Sequence, residues 1–329
     1  MKIDPNVKRI GVLTSGGDAP GMNAALRAVV RTAIYHGLEV FGIYHGYDGL
    51  INNEIKQLNR PDVANIIHRG GTVLKTARSD EFRTKEGRDM AANNLKRYGI
   101  DSLVVIGGNG TYTGAMYLGN EHGINIVGLP GTIDNDLYGT DYTIGFDTAI
   151  NTAIDAVDKI RDTADSHTRV FFIEVMGRHS GYIALHTGIG SGAGTIFLPE
   201  TYTSIEEVSE YLKKEGGRKK LFNLVIVAEG NKNGGAIEIA KKVSEMFPQI
   251  DARATVIGHL QRGGSPTAND RVLASRLGFH AVDALMHGSK GVAIGIVSNL
   301  ITQTPFEDAI TKGKDPQGEL ISMAEILAS

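Results

Sequence analysis

The chain has 329 residues, no cysteine and a formal net charge of −3. This length is enough for two domains with sizeable cores, and the lack of cysteine excludes disulfides and thiolate metal sites. The slightly acidic balance gives no general attraction for nucleic acid or membranes, so an anionic ligand has to be held by local arginines and lysines. We expect a cytoplasmic protein, because the sequence has no signal-peptide core and no apolar run approaching about 18 residues.

Short apolar runs alternate with helix-like stretches along the whole chain. Residues 22–37 and 146–164 have helical spacing, and in the second stretch Ile150, Ile154 and Val157 recur on one face. Strands that alternate with helices predict an α/β fold with parallel sheets, in which ligands bind at the carboxyl ends of the strands. The runs expected to form strands are 9–14, 38–44, 103–106, 125–130, 170–176, 221–229, 254–260 and 291–297.

The first glycine-rich loop, residues 14–27 (TSGGDAPGMNAALR), follows the first predicted strand. Its three glycines allow the backbone to approach a ligand, and the next helix offers its N-terminal amides to an anion. The loop lacks the lysine of a Walker A motif, so the chemistry of P-loop enzymes is not expected. An ordinary strand-to-helix turn explains the same residues equally well.

The second loop lies in LVVIGGNGTYTGA, residues 103–115, where a helix is expected to begin near Gly114. Its spacing also resembles a dinucleotide-binding loop, so the loop alone does not identify the ligand. Asn109, which is uncharged, stands where a metal-assisted phosphate site usually has a carboxylate. The residues expected to admit phosphate oxygens are Gly107, Gly108, Gly110 and, through its hydroxyl, Thr111.

The third loop, residues 128–149, places Asp134 and Asp136 two positions apart after a predicted strand. An extended backbone would point both side chains the same way. One carboxylate would then accept a proton from a hydroxyl nucleophile, and the other would help to bind Mg²⁺. The alternative is an Asx-rich turn that caps the following helix, with Asp147 as another cap.

Two further loops bring positive charge next to predicted strands. Arg169 and Arg178 flank the strand at 170–176, and Arg253 and Arg262 lie on or beyond the strand at 254–260. Four arginines beside glycine-rich turns in a slightly acidic protein indicate phosphate recognition by bidentate hydrogen bonds. The residues alone therefore indicate an α/β enzyme that handles two phosphate-bearing ligands with Mg²⁺, and they leave the substrate open.

Taken together, these loops closely resemble the bacterial ATP-dependent 6-phosphofructokinases. The resemblance implies two Rossmann-like three-layer αβα domains with mainly parallel sheets and an active site in the cleft between them. Residues 1–145 plus 261–310 would bind ATP, and residues 146–260 plus 311–329 would bind fructose 6-phosphate. The matching stretches, in family order, are 11–25, 68–78, 104–116, 129–149, 174–178 and 253–266.

The resemblance also implies the reaction, transfer of the γ-phosphoryl group of ATP to the 1-hydroxyl of fructose 6-phosphate. Asp134 resembles the general base, Arg178 the cation that stabilises the transferring group, and Thr132 a residue close to that group. An arginine in this role contributes ~10³–10⁵ in rate. Asn109 and Asp136 would bind the magnesium ion.

The resemblance assigns the other ligands by position. Tyr47 would pack against adenine, while Arg169 and Arg253 would reach the sugar phosphate of a neighbouring subunit, which implies a homotetramer. The nucleotide positions are Gly17, Tyr47, Arg78, Ser79, Gly108, Asn109, Gly110, Thr111 and Gly114. The sugar-phosphate positions are Thr132, Ile133, Asp134, Arg169, Met176, Gly177, Arg178, Glu229, Arg253, His259 and Arg262. An ADP or phosphoenolpyruvate effector would bind at Arg27, Arg31, Arg60, Arg161, Gly192, Arg218 and Lys220.

Several positions bear on the donor and on activity. Gly110 and Gly131 match ATP users, whereas pyrophosphate-dependent relatives typically carry Asp and Lys there. Asn109 replaces the family's metal-binding aspartate, so a higher magnesium requirement and slower turnover are expected. Asn65 and Gly194 replace acidic effector-site residues. The alternatives are a catalytically impaired or regulatory binder of sugar phosphate and nucleotide, a kinase acting on NAD or a lipid, and a pyrophosphate-dependent enzyme.

Overall fold

The structure is a computed structural model that describes residues 7–165, 169–206, 223–314 and 318–328. The chain divides into two compact units. Unit 1 comprises Met1–Ile133, Leu137–Asp147 and Arg262–Lys314, and unit 2 comprises Asp134–Asp136, Thr148–Gln261 and Asp315–Ser329. The assignment of ATP to one predicted domain and of fructose 6-phosphate to the other stays a prediction.

The described residues form eleven strands and ten α-helices. The strands are β1 Arg9–Thr14, β2 Glu39–Ile43, β3 Ile55–Leu58, β4 Ser102–Gly107, β5 Asn125–Pro130, β6 Val170–Val175, β7 Thr195–Phe197, β8 Asn223–Ala228, β9 Ala252–Val256, β10 Val292–Val297 and β11 Leu300–Pro305. The helices are α1 Met22–Tyr35, α2 Gly46–Ile51, α3 Lys85–Tyr98, α4 Asn109–His122, α5 Phe146–Asp165, α6 Tyr182–Ser191, α7 Ala236–Met246, α8 Ala268–Met286, α9 Phe306–Thr311 and α10 Gly318–Ala328. Short 3₁₀ turns cover Arg60–Val63, Glu81–Arg83 and Gly258–Arg262.

Unit 1 is built on one sheet, which within the described residues has seven strands in the order β11-β10-β5-β4-β1-β2-β3. The five central strands are parallel, and the edge strands β3 and β11 are antiparallel to their neighbours. In the register, Thr14 pairs with Ile106, and Gly107 pairs with Pro130. The loops that follow β1, β4 and β5 therefore leave the sheet at the same edge, as the sequence predicts.

Helices cover both faces of this sheet. Leu13, Leu103 and Val105 point to one face, where they join a buried cluster with side chains of α2, α3 and α4. On the other face α1 packs against α8, and a Cβ atom at Gly278 would lie only 2.7 Å from the carbonyl oxygen of Ala25. A larger residue at 278 would separate the two helices, so this glycine permits the three-layer packing.

Unit 2 contains a smaller parallel sheet, which has four strands in the order β7-β8-β6-β9 among the described residues. Phe172 of β6 and Val225 and Val227 of β8 pack with Ile239 and Val243 of α7 in a buried cluster. The α/β prediction is therefore confirmed in both units.

The structure corrects several predicted boundaries. The strand expected at 254–260 ends at Val256, because Gly258 has φ +55° and opens a 3₁₀ turn. The helix expected near Gly114 begins already at Asn109. Strands β3, β7 and β11 were not expected, since these short segments lack an uninterrupted apolar run. No helix of the described residues is long and apolar enough to cross a membrane.

Candidate active site

The first glycine-rich loop connects β1 to α1 in unit 1. Gly16 and Gly21 have φ values of +87° and +109°, which residues with a Cβ rarely adopt. The N-cap of α1 is Gly21, no side chain caps the helix, and its first turn contains no acidic residue. The Met22 amide donates to the carbonyl oxygen of Ala19 at 3.2 Å, so the amides of the next residues of α1 are the ones left for an anion.

Arg262 lies against this loop, within unit 1. A Cβ atom at Gly17 would lie 2.7 Å from its Nη1 atom, and the same Nη1 donates a hydrogen bond of 3.0 Å to the carbonyl oxygen of Asp18. Gly17 thus makes room for a guanidinium group. The sequence assigned Arg262 to the sugar phosphate, and that role stays a prediction.

The second loop joins β4 to α4 and is tied to the first. The Thr111 hydroxyl donates to the carbonyl oxygen of Ser15 at 3.0 Å, and a Cβ atom at Gly107 would collide with that hydroxyl at 2.2 Å. A Cβ atom at Gly110, by contrast, would meet nothing within 4 Å. Like α1, α4 has a glycine N-cap, Gly108, without a side-chain cap or an acidic first turn.

Tyr47, the predicted adenine contact, is 5% exposed and stacks on Phe82 with ring centroids 3.9 Å apart. Its hydroxyl donates a hydrogen bond of 2.6 Å to the carbonyl oxygen of Thr111, and burial raises its pKa. A Cβ atom at Gly114 would lie 2.9 Å from the Tyr47 ring. The second loop therefore packs closely against the stacked rings of Tyr47 and Phe82, with Gly114 at the contact.

The segment that carries Arg78 and Ser79 precedes Phe82. The Arg78 side chain is exposed, whereas the Ser79 hydroxyl accepts a hydrogen bond of 3.3 Å from the Phe82 amide. Sequence reasoning missed Arg88, which is 8% exposed and donates from Nη1 to the carbonyl oxygens of Phe82 and Arg83. No helix was predicted around Arg88, so the sequence analysis offered no signal for its burial.

Arg88 also pairs with Glu121 through two hydrogen bonds of 2.6 and 2.7 Å. The bond from Arg88 holds the pKa of Glu121 below its ordinary value. This pair joins α3 to α4 and fixes the turn that presents Phe82.

The third loop begins in unit 1 with Thr132 and Ile133, which are 9% and 0% exposed. The Thr143 hydroxyl donates to the carbonyl oxygen of Thr132, and Gly131 forms a bridge with Ile144. The Thr132 backbone is therefore fixed at the carboxyl edge of the unit 1 sheet.

Asp134 and Asp136 follow in unit 2, and one prediction about them is wrong. The backbone between them is not extended, because Asn135 has φ +50°, a left-handed conformation that asparagine tolerates. The rule that residues two apart share a direction therefore does not apply. Asp134 is 4% exposed, and its carbonyl oxygen accepts a hydrogen bond of 2.8 Å from the Ser180 hydroxyl.

Arg178 stands beside the Asp134 carboxylate, with 3.9 Å between its Nε and the nearer carboxylate oxygen. It lies in a turn after β6 in which Gly177 and Arg178 have φ values of +144° and +53°. Glu229 stabilises this turn, since its Oε1 accepts hydrogen bonds of 3.2 and 2.7 Å from the amides of Gly177 and Arg178. The buried carboxylate of Asp134 thus lies beside the exposed guanidinium group of Arg178, and Glu229 stabilises the turn that carries Arg178.

Two unpredicted residues support the same turn. Gln261 is fully buried, and its Oε1 accepts a hydrogen bond of 2.8 Å from the amide of Met176. Ser180 is bonded to Asp134, as described above. Neither had a sequence signal beyond lying next to a predicted site residue.

Arg169 and Arg253 meet at one carboxylate in unit 2. The Nε atoms of Arg169 and Arg253 lie 2.8 and 2.9 Å from the two carboxylate oxygens of Asp251. The hydrogen bond from Arg169 and the charge of Arg253 lower the pKa of Asp251. His259 is exposed in the turn Gly258–Arg262.

The predicted effector residues are spread over both units. Arg27 and Arg31 lie on α1, Arg60 begins a 3₁₀ turn, Arg161 of α5 donates to the carbonyl oxygen of Ser191, and Gly192 ends α6 with φ +61°. Arg218 and Lys220 lie outside the described residues. The effector site stays a prediction.

The donor chemistry of the predicted metal residues, Asn109 and Asp136, is oxygen only, which suits Mg²⁺. Within the described ranges there is no group of three or more His, Cys, Asp and Glu side chains able to hold a metal. Mg²⁺ commonly uses one or two protein groups together with substrate phosphates, so the oxygen of each residue, taken singly, is a suitable ligand for an ion that arrives with a nucleotide.

Comparison with known proteins decides the family. Residues 9–285 match the family described as Phosphofructokinase. The chain belongs to this family. It is 55% identical to ATP-dependent 6-phosphofructokinase 2 of Bacteroides thetaiotaomicron, over 98% of this chain and 99% of that protein. It is 56% identical to ATP-dependent 6-phosphofructokinase 1 of Thermus thermophilus, over 98% of this chain and all of that protein.

A solved phosphofructokinase has the same fold. The structure of phosphofructokinase from Saccharomyces cerevisiae superposes with a TM-score of 0.86 and 39% identity, covering 97% of this chain and 46% of the yeast chain. The family resemblance inferred from the glycine-rich loops is therefore confirmed.

Proposed function

We propose that this chain is an ATP-dependent 6-phosphofructokinase, which transfers the γ-phosphoryl group of ATP to the 1-hydroxyl of fructose 6-phosphate in glycolysis. The observation that carries the proposal is the buried carboxylate of Asp134 beside the guanidinium of Arg178, in a chain 55–56% identical to ATP-dependent phosphofructokinases over nearly its full length. Proton removal and charge stabilisation are the two tasks that this transfer requires.

Each residue has a role that follows from its position. Asp134 accepts the proton of the attacking hydroxyl, and its backbone is fixed by the hydrogen bond from Ser180. Arg178 stabilises the negative charge of the transferring group, since an arginine presents several donors to phosphate oxygens. Glu229 positions Arg178 through the backbone amides of the turn.

The nucleotide binds at the glycine-rich edge of unit 1. The open N-termini of α1 and α4 bind its phosphates, and the space beside Gly110 admits them. The same glycine favours ATP over pyrophosphate as donor, because no side chain occupies this space. Asn109 and Asp136 would hold Mg²⁺, which neutralises phosphate charge when bound.

The alternative function, a catalytically impaired or regulatory binder, rests on Asn109. The similarity to ATP-dependent 6-phosphofructokinases favours the active enzyme. Asparagine keeps an oxygen that coordinates a hard cation, but it lacks the carboxylate charge. We therefore expect activity with a raised magnesium requirement rather than loss of function.

A homotetramer in the cytoplasm is the proposed assembly and location. Arg169 and Arg253 support the assembly, because both are positioned by Asp251 and keep part of their side chains exposed for a sugar phosphate on a neighbouring subunit. Light scattering of the purified protein measures the assembly, and a monomer with full activity would contradict it. The effector, ADP or phosphoenolpyruvate, is tested by its effect on the rate at low fructose 6-phosphate.

The function is tested by initial rates of fructose 6-phosphate phosphorylation over a series of Mg²⁺ concentrations, with ATP and separately with pyrophosphate. We expect turnover with ATP that saturates in magnesium, and none with pyrophosphate. The Asn109→Asp variant is the matched comparison, and it should saturate at lower magnesium. Turnover with pyrophosphate alone, or binding of both ligands without turnover, would overturn the proposal.

A further inference from the structure

Lys75 is an exposed lysine whose backbone is held in the left-handed conformation, with φ +62°. It lies in unit 1, in the segment 70–76 that runs beside the first glycine-rich loop. A positive φ is uncommon for a residue with a long side chain and costs free energy. Such strain persists only where surrounding contacts impose it, and it is concentrated at functional sites.

Two of the contacts that impose this conformation come from residues 14–16, which begin the first glycine-rich loop; this loop with the start of α1 is called the phosphate cradle below. The carbonyl oxygen of Lys75 accepts a hydrogen bond of 2.8 Å from the hydroxyl of Thr14, the last residue of β1. The next hydroxyl, on Thr76, donates at 2.7 Å to the carbonyl oxygen of Gly16. The amide of Lys75 closes a turn on the carbonyl oxygen of Thr72 at 3.2 Å. Lys75 is therefore fixed beside the loop after β1.

Positive charge predominates around that loop. Arg78 is exposed three residues after Lys75, and Arg262 binds the Asp18 carbonyl oxygen. The side chains of Lys75 and Arg78 make no ion pair or hydrogen bond with another residue in the described part of the chain. Asp18 is the acidic residue of the loop, so the local balance favours an anion.

We propose that Lys75 is a further nucleotide-binding residue, whose ammonium group binds the polyphosphate chain of the nucleotide at this cradle. The inference rests on the proposed function, in which a nucleoside triphosphate is the donor. A lysine suits the task because it is a flexible point charge with three donors and can follow phosphates that move during transfer.

The experiment measures ATP binding by calorimetry, without fructose 6-phosphate, to the full chain and to Lys75→Met and Lys75→Gly variants. Methionine keeps an unbranched chain and removes the charge, while glycine also relieves the left-handed strain. We expect both variants to bind ATP about tenfold more weakly, the size of a lost charge-assisted hydrogen bond. Adenosine binding should not change, and the affinity of the unaltered chain should fall more steeply with salt.

Asn53→Gly is the matched control, because Asn53 also has a positive φ, +63°, in unit 1 and lies outside the loops of the cradle. It should leave ATP binding unchanged. Unaltered ATP affinity in Lys75→Met, or a loss that is equal for ATP and adenosine, would overturn the proposal. A loss in Lys75→Gly alone would assign the effect to the backbone and would also overturn it.

Turnover of the unaltered chain, measured in parallel, separates this inference from the proposed function. If ATP binds through Lys75 but fructose 6-phosphate is not phosphorylated, the proposed function fails and the role of Lys75 stands. If turnover is normal and Lys75→Met binds ATP unchanged, only the role of Lys75 fails. A chain that binds no nucleotide contradicts both.

Discussion

The loops at the carboxyl edges of the two sheets differ in the groups that they offer to a phosphate ligand. In unit 1, α1 and α4 begin at glycine N-caps without side-chain caps, so backbone amides and empty space form the site. In unit 2, the side chains of Arg178 and Glu229 gather on a left-handed turn after β6, next to Asp134.

Other helices of unit 1 begin differently: α2 and α9 also lack a side-chain cap but have acidic residues in their first turns. In the same unit, α3 and α8 are capped by Thr84 and Thr267, whose side chains accept hydrogen bonds from the amides three residues later. Amides are therefore left open at the glycine-rich loops, where a ligand can replace the cap. Under the proposed function, unit 1 would bind phosphate largely through backbone amides, and unit 2 would supply Asp134 and Arg178 for the transfer.

The largest expected effect is that of Asp134→Asn, because it removes the carboxylate that we propose as the proton acceptor. Turnover should fall by about 10²–10⁴, while fructose 6-phosphate binding changes little, since asparagine has nearly the same shape. Steady-state kinetics and sugar-phosphate binding measured together check this. Unchanged turnover would contradict the role of Asp134 as general base.

A second prediction concerns the scaffold of unit 1. Arg88→Met should lower the free energy of unfolding by about 2 kcal/mol, because it removes the hydrogen bonds of the buried Arg88 to Glu121 and to the carbonyl oxygens of Phe82 and Arg83. Denaturant unfolding measures the loss. Arg83→Met, an exposed arginine of the preceding turn, is the control and should change stability little.

The same pair gives a pH dependence. The pKa of Glu121 is lowered below its ordinary 4.5, so the pair stabilises the fold above that pH, and the contribution is lost as the pH falls through the lowered value. Glu121→Gln should therefore flatten the stability profile below about pH 4.5. An identical acid profile in variant and parent would contradict this.

Alanine substitutions at Gly107 and Gly110 test whether the space beside Gly110 is needed for ATP binding while Gly107 is needed for packing. Gly107→Ala should lose about 1–3 kcal/mol of stability, because the new Cβ atom would lie 2.2 Å from the Thr111 hydroxyl. Gly110→Ala should keep or raise the melting temperature, since the site is open and alanine favours a helix, yet it should weaken ATP binding. Equal effects of the two variants on both properties would refute the distinction.

The smallest expected effect is that of Glu229→Gln in unit 2. Glutamine keeps one acceptor oxygen for the amides of Gly177 and Arg178 but loses the charge, so kcat should fall about tenfold with the turn still formed. Glu229→Ala should lose more. A rise in KM for fructose 6-phosphate with kcat unchanged would show that Glu229 contacts the substrate instead of positioning Arg178.

The sequence by itself determined the α/β class, the family and the loops that approach phosphate. Alternating apolar runs and helices specify parallel sheets, and the glycines at 16, 17, 107, 108 and 110 mark the loops in which the backbone can approach a ligand closely. These are local signals, written in residues near each other in the chain.

Only the tertiary structure decided which side chains hold the site. Gln261 and Glu229 bind the turn at 176–178 from positions more than fifty residues away, and Arg88 fixes Phe82 beneath the second loop. The left-handed Asn135 makes the backbone between Asp134 and Asp136 other than extended, so the spacing of these residues alone does not fix the relative direction of their side chains. Such contacts depend on strand register and helix packing, which bring distant residues together and which no local sequence pattern encodes.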